Sequence, residues 1–371
     1  MNRLTPVLAA AVMAAAPIAA APAARAQDIV VGLAGPLTGA QAAFGEQMKR
    51  GAAQAVADIN AKGGVLGRKL AVEYGDDASD PRQGVAVANQ MASKKVVAVI
   101  GHFNSGVSIP ASEVYAEEGI LQITPASTNP TLTDRGAKFA NVFRTCGRDD
   151  KQGVVAGNYL AEHYKGKPIA ILHDKSAYGK GLADQTKLQL NKEGVQEAMY
   201  EAVTAGDKDF TSLISKLKAA SIAAIYYGGY HAEAGLIVRQ AREQGLGAQL
   251  ISGDALVTQE FWSITGKAGE GTLMTFEPDP RKFDSSRTVV EAFKKQGYDP
   301  EGYTLNTYAA LQVFATAVEK AKSTKLDDLI KAMRATEFET VLGPLAFDQK
   351  GDLANPKYVF YVWKDGKYSE M

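Results

Sequence analysis

KKVVAVIGHFNSGVSIPASEVYAEEGILQITPAST, residues 94–128, reads as a strand, a short polar loop, a helix and a second strand. Its two apolar runs, Val96–Ile100 and Ile120–Thr124, are too short for helices and are bounded by Gly or Pro. That is the pattern of parallel strands covered on both faces. Each run ends in small polar residues: His102, Asn104, Ser105 and Ser108 after the first, Ala126, Ser127 and Thr128 after the second. In open α/β sheets ligands bind outside the carboxyl ends of neighbouring strands. Ser105 or Ser108 is placed to cap the following helix, with Pro110 in its first turn. Free backbone N–H groups and the positive helix end would then suit a carboxylate. The stretch reads as half of a small-anion site, against the plainer alternative that Ser105, Ser108 and Thr128 are only caps and turn residues.

Strand-then-helix units continue on both sides. Before the quoted stretch come a strand at 28–34, a helix at 45–62, a strand at 69–74 and a helix at 81–94 with Asp80 as N-cap. After a short extended piece at 140–144, the pattern restarts at Asp149. A helix (152–164) is followed by the buried strands PIAILH (168–173) and IAAIYY (222–227), with further strands at 195–203, 249–252 and 271–276. This alternation predicts parallel sheets with right-handed crossovers. The remainder, with helices at 285–296, 303–322 and 326–335, cannot make its own sheet and is expected to pack on the first one. Strands at 344–347 and 358–363 close the chain, with a turn at Asp365-Gly366.

Breaks near Gly147–Asp149, Glu277–Pro280 and Asn355–Pro356 are candidate crossings between two lobes. They divide the chain into residues 27–147 plus 277–355 and residues 148–276 plus 356–371. Three crossings make a hinge, with a cleft between two doubly wound parallel-sheet lobes. Residues 27–371 exceed the roughly 250–300 residues at which a single core stops growing, which also favours two domains.

Met1–Ala26 reads as a signal peptide: Arg3, then a Leu-, Val- and Ala-rich run, then Ala24-Arg25-Ala26 as an A-x-A cleavage site. Cleavage near Ala26 would send a soluble chain to the periplasm. The whole sequence carries 41 basic and 41 acidic residues. Losing Arg3 and Arg25 leaves a slight acidic excess, with no basic block to suggest nucleic acid or anionic membrane. The single cysteine, Cys146, excludes an internal disulfide and any multi-cysteine metal site.

Catalytic and nucleotide signatures are missing. Gly32–Gly35 lacks G-x-G-x-x-G spacing, and Gly179-Lys180 and Gly266-Lys267 lack the upstream Gly of a phosphate loop. Phe103 stands where a nucleophile elbow around Ser105 needs Gly, and no H-E-x-x-H occurs. No cofactor or metal is implied, and an enzyme is the weakest reading. The second half instead offers aromatic and acidic residues at strand ends: Tyr178, Tyr230 and Asp254. Two tyrosines can close over a ligand with flat faces and polar tips, and a carboxylate can pair with an ammonium. Asp254 can equally be a helix cap, and Phe44 and Phe103 can be core or pocket wall. Donors on one lobe and a carboxylate on the other suit a zwitterion, such as an amino acid.

Several ordered blocks carry a resemblance: QAVADINAKGGVLGRKL (54–70), DDASDPRQ (76–83), VIGHFNSGVSIPAS (99–112), EEGILQITPAST (117–128), HDKSAYGKGLA (173–183), TAGDKDF (204–210), IYYGGYHAEAGLIVRQAREQGL (225–246), NTYAAL (306–311) and GPLAFDQKGDL (343–353). Over nearly its whole length beyond residue 26, the chain resembles the periplasmic leucine/isoleucine/valine-binding proteins of ABC transporters. The resemblance implies a type I periplasmic-binding-protein fold, a monomer and delivery of an aliphatic L-amino acid to a membrane permease. Carried over by position, it makes Ser105 the carboxylate-binding serine. Ala126 and Thr128 become main-chain and hydroxyl contacts to the α-groups, Tyr178 and Tyr230 the closing tyrosines, and Asp254 the acid that meets the ammonium. Phe44, Phe103 and Tyr303 fall at side-chain pocket positions. The prototypes' Glu is Asp254 here and their Tyr is Phe44, which leaves the ligand range open. Amides, aromatic acids or keto acids are alternatives, as is a sensor component working through a separate membrane partner.

Overall fold

The computed structural model describes residues 27–371; the expected signal peptide, residues 1–26, lies outside them. The first sheet is built from β1 (Ile29–Gly35), β2 (Leu70–Asp76), β3 (Ala98–Gly101), β4 (Leu121–Thr124) and β5 (Val142–Arg144). All are parallel, in spatial order β2-β1-β3-β4-β5. The crossover helices are α1 (Ala42–Ala61), α2 (Pro81–Ser93) and α3 (Ser105–Glu117). β3 and β4 are buried at every residue, as continuous apolar runs covered on both faces should be. Asp80 caps α2, its side chain accepting the N–H groups of Arg82 and Gln83, with Pro81 in the first turn where no donor is needed.

The helix α3 differs from expectation. Asn104, not a serine, occupies its N-cap position and makes no side-chain cap bond, and Pro110 lies in the second turn. Ser105 is the first helical residue, and the Ser108 hydroxyl turns into the interior, 2.6 Å from Ser127 Oγ.

The second sheet begins after α4 (Asp149–His163) with β6 (Ile169–His173), α5 (Ala177–Lys192), β7 (Met199–Ala202), α6 (Thr211–Ala219) and β8 (Ala224–Gly228). It continues through α7 (His231–Glu243), β9 (Gln249–Ser252), α8 (Gln259–Thr265) and β10 (Leu273–Phe276). The chain then returns to the first sheet as α9 (Arg287–Lys295), α10 (Thr304–Ala321) and α11 (Leu326–Ala335). There α10 lies along α1, with the Tyr308 hydroxyl donating to Asp58 Oδ2 at 2.8 Å.

The strand expected at 344–347 is part of a separate two-stranded ribbon, β11 (Phe338–Thr340) with β12 (Gly343–Leu345). The three residues of β11, following directly on a helix, are too few for a periodicity to show. Finally β13 (Val359–Lys364) joins β10 antiparallel and β14 (Lys367–Glu370) folds back on it. Asp365 and Gly366 both have positive φ, 49° and 81°, at the two-residue turn, as a tight hairpin of this type requires. The second sheet thus reads β14-β13-β10-β9-β8-β6-β7, and the chain passes between the sheets three times. No helix among the described residues is long and apolar enough to cross a membrane.

Candidate functional site

Each sheet reverses its winding once, and the two reversals face each other. In the first sheet β2 and β3 lie on opposite sides of β1; in the second β7 and β8 flank β6. Ligand crevices form at the carboxyl ends of such strand pairs. Phe44 follows β1, Phe103 and Ser105 follow β3, and Ala126 and Thr128 follow β4. From the other sheet come Tyr178 after β6, Tyr230 after β8 and Asp254 after β9. A small void lies where they meet, lined by Phe103, Ser105, Ala126, Tyr178, Tyr230, Asp254 and Ala255. A larger, more open groove lies beside the hinge, but Pro and aliphatic residues outside both switch points form most of its wall. The chemistry is in the smaller space.

Asp254 is the first residue of a single 3-10 turn, Asp254–Leu256, whose N-cap position belongs to Gly253, so the helix-cap alternative falls away. Instead Tyr178 Oη donates to its Oδ1 at 2.8 Å, and Tyr303 Oη donates to its Oδ2. Burial pushes the Asp254 carboxyl above the usual carboxylate range, and the two phenol donors pull against that shift. Burial and the adjacent carboxylate hold both phenols well above their usual range, so they stay protonated donors. The pocket-wall position expected of Tyr303 is only part of its role: its ring edge does meet Phe103 at 5.5 Å, but its hydroxyl orients the acid.

On the first sheet Ser105 Oγ accepts the Asn129 N–H at 3.2 Å. The hydroxyls of Ser108, Thr124 and Ser127 are occupied by the backbone of His102 and Phe103, and by one another. The fully buried His102 ring is fixed by Asp77 Oδ2 at 2.7 Å and Tyr115 Oη at 2.9 Å. This anchors the start of the loop that carries Phe103 and Ser105. Thr128 is buried, and its hydroxyl has no hydrogen-bond partner among the described residues.

An aromatic wall joins the lobes. Phe44 stacks on Phe103 at 4.4 Å and meets His231 edge-on at 5.4 Å, while Tyr230 stands 6.1 Å from Phe103 and 5.2 Å from Tyr178. Phe44 therefore backs Phe103 and does not line the void. Two hydrogen bonds clasp the same faces: Gln47 Nε2 to the Val257 carbonyl at 3.1 Å, and Asn129 Nδ2 to the Ala177 carbonyl at 2.6 Å. The lobes are closed on each other.

Of the nine positions expected from the sequence, six line the void, and Phe44, Thr128 and Tyr303 stand beside it. Sequence reasoning missed Ala255, the clasp residues Gln47 and Asn129, and the buried polar face of α4, Asp149 and Gln152. Gln and Asn in polar stretches carry no sign that they will bridge two lobes. Asp149 looks like an ordinary acid at a helix start; only its place at a lobe crossing sets it apart.

Known proteins give the same fold. The profile of the periplasmic binding protein family matches residues 28–367. The Leu/Ile/Val-binding protein homolog 2 of Brucella abortus is 53% identical over 346 residues, covering 92% of this chain and 93% of that one. The crystal structure of leucine binding protein LivK from Thermotoga maritima superposes with a TM-score of 0.85 at 27% identity, covering 92% of this chain and 97% of that one. The branched-chain amino acid transporter substrate binding protein LivJ from Streptococcus pneumoniae, in complex with isoleucine, gives 0.84 at 25% identity, with 93% and 99% covered.

Proposed function

The chain belongs to the periplasmic binding protein family, and from that premise we propose that it captures an aliphatic, branched-chain L-amino acid between its lobes and presents it to an ABC-transporter permease. Its fold is the type I fold of that family. The observation that carries the proposal is the Asp254 carboxylate, oriented by Tyr178 and Tyr303 and facing the small polar strand ends that carry Ser105 and Ala126.

In this reading Ser105, the Ala126 backbone and the Thr128 hydroxyl hold the α-groups, and the α3 N-terminus adds its dipole to the carboxylate. Asp254 takes the ammonium, Tyr178 and Tyr230 cover the backbone of the ligand, and Phe103, backed by Phe44 and Tyr303, receives the side chain. Nothing is transformed. Binding shifts an open–closed equilibrium, because only the closed form brings both lobes to one molecule. A micromolar constant, about −8 kcal/mol, suits a small doubly charged ligand buried this way. The lobes are assigned as residues 27–147 with 277–355 and residues 148–276 with 356–371, turning about the three crossings. The working form is a periplasmic monomer cleaved near Ala26.

The test is titration calorimetry of the protein starting at Gln27 with leucine, isoleucine, valine and their deaminated analogues. Saturable heat with the amino acids and at least tenfold weaker binding of the analogues is expected. Tighter binding of acids without an amine would overturn the reading.

A further inference from the structure

The three passages between the lobes meet at one groove. Thr145 belongs to the first, Glu277 and Pro278 to the second, Asn355 and Lys357 to the third, and all of them line the larger groove beside the hinge. The passages are also bound to one another. Glu277 Oε1 accepts the Gly147 N–H at 2.7 Å, and the Tyr361 hydroxyl donates to the Glu277 carbonyl at 2.7 Å. The Tyr358 ring packs on Gly147, where a Cβ would stand 2.5 Å from it. Rotation of one lobe on the other is absorbed by backbone torsions in such crossings. The walls of this groove therefore move whenever the lobes do.

Its polar floor is already satisfied. Thr145 Oγ1 donates to the Asn306 carbonyl at 3.0 Å, and Glu277 Oε2 accepts Asn306 Nδ2 at 2.8 Å. Both oxygens of the one acid in the lining are thus engaged. The rest of the wall is apolar and incompletely covered: Phe283, Leu342, Leu345 and Leu353 are partly exposed, and Pro344 is exposed. Apolar side chains gathered in one concave patch mark an interaction site. Lys357 stands exposed at the rim and enters no ion pair among the described residues. The demand left open is an apolar body and one negative charge.

We propose that the hinge groove binds an amphiphilic monoanion, an aliphatic chain ending in a carboxylate, and that its occupation holds the lobes closed. The chain lies on Phe283, Leu342 and Leu345, and the head pairs with the Lys357 ammonium, a charge-assisted contact. The lobes are closed in this structure, so a ligand that fits the groove as it stands favours that form. By linkage it raises the affinity of the cleft for its own ligand. That second half of the inference rests on the amino-acid reading of the cleft; the groove itself does not.

Decanoate is the probe. It is titrated by calorimetry, below its micelle concentration, into the leucine-saturated protein starting at Gln27, so that the cleft is already filled. Saturable submillimolar binding is expected, at least tenfold weaker with hexanoate, because a shorter chain covers less of the apolar wall. Lys357→Glu should bind decanoate at least tenfold more weakly and decyltrimethylammonium more tightly than wild type does. Its leucine affinity without amphiphile should stay within twofold of wild type. Saturating decanoate should tighten leucine binding at least threefold in wild type and leave it unchanged in Lys357→Glu.

No decanoate binding, or a wild type that prefers decyltrimethylammonium, overturns the ligand class. Decanoate that binds but leaves leucine affinity unchanged, or weakens it, overturns the hold on the lobes. A ligand-free protein that sediments as a dimer and is dissociated by decanoate makes the groove an interface between copies and overturns the site. A wild type that binds no leucine overturns the amino-acid reading and the coupling with it, while the decanoate titration still decides the groove.

Discussion

The Tyr303 hydroxyl donates to Asp254 Oδ2 across the cleft. Tyr303 immediately precedes α10, which lies on α1 against the first sheet, whereas Asp254 follows β9 in the second. One side chain thus both orients the acid and ties the lobes together. Tyr303→Phe keeps the ring packing against Phe103 and Phe276 and removes only that bond. A hydrogen bond to a charged group contributes about 1.5–3 kcal/mol, so leucine affinity should fall roughly ten- to hundredfold. Small-angle scattering should also show the ligand-free variant more open than wild type. An unchanged scattering profile with unchanged affinity would count against the latch.

Asp254→Ala removes the acid that the amino-acid reading places on the ammonium. Truncating one partner of a buried charge pair costs about 2–5 kcal/mol. Leucine binding, followed by calorimetry, should therefore weaken by at least thirtyfold. Binding of 4-methylpentanoate, which lacks the amine, should change little or improve. Equal losses for the two ligands would show that Asp254 holds the cleft together without reading charge.

The lobes were legible because their strands are uninterrupted apolar runs between Gly, Pro and small polar residues, and that pattern leaves little else for Ala98–Gly101 or Ala224–Gly228 to form. The positions of the candidate site residues at strand ends were legible for the same reason: Ser105, Ala126, Tyr178, Tyr230 and Asp254 all fall within a few residues of a strand's carboxyl end. What escaped were relations between distant segments. The use of the Tyr303 hydroxyl depends on α10 reaching Asp254, 49 residues away in sequence. The fates of Ser105 and Ser108 were separated only by the turn of α3, which starts at Ser105 and sends Ser108 inward, and no propensity distinguishes two serines so close in such a run.

Gly51 tests how tightly the site depends on α10. A Cβ at Gly51 would stand 2.2 Å from the Thr304 carbonyl oxygen, and backbone cannot yield there as a flexible side chain would. Gly51→Ala should force α10 away from α1 at a cost of about 1–3 kcal/mol, the usual range for overpacking. Tyr303 moves with the first turn of α10, so leucine affinity should fall as well. Urea unfolding and calorimetry on the same variant check the pair; a stability loss without an affinity loss would place the strain elsewhere.

Glu277 sets a pH dependence of stability at the hinge. Its Oε1 accepts the Gly147 N–H at 2.7 Å and its Oε2 accepts Asn306 Nδ2 at 2.8 Å, so one carboxyl joins the first two lobe crossings to α10. Burial raises it to about 7, against its two hydrogen bonds. A folded value above the unfolded one means the folded state binds the proton more tightly. This group's favourable contribution is therefore complete below about pH 4.5 and is lost as the pH rises towards 7. The loss is on the order of 3 kcal/mol at one pKa unit per 1.36 kcal/mol. Asp174, raised to about 6, and Glu301, raised to about 7, slope the same way, so the total slope cannot be assigned to one residue. The difference between wild type and Glu277→Gln can. The substituted amide cannot ionise, so the stability of the Glu277→Gln protein relative to wild type should improve between pH 5 and pH 8.5. Urea midpoints at the two pH values measure it, and a difference that is the same at both would remove Glu277 from the hinge's proton balance.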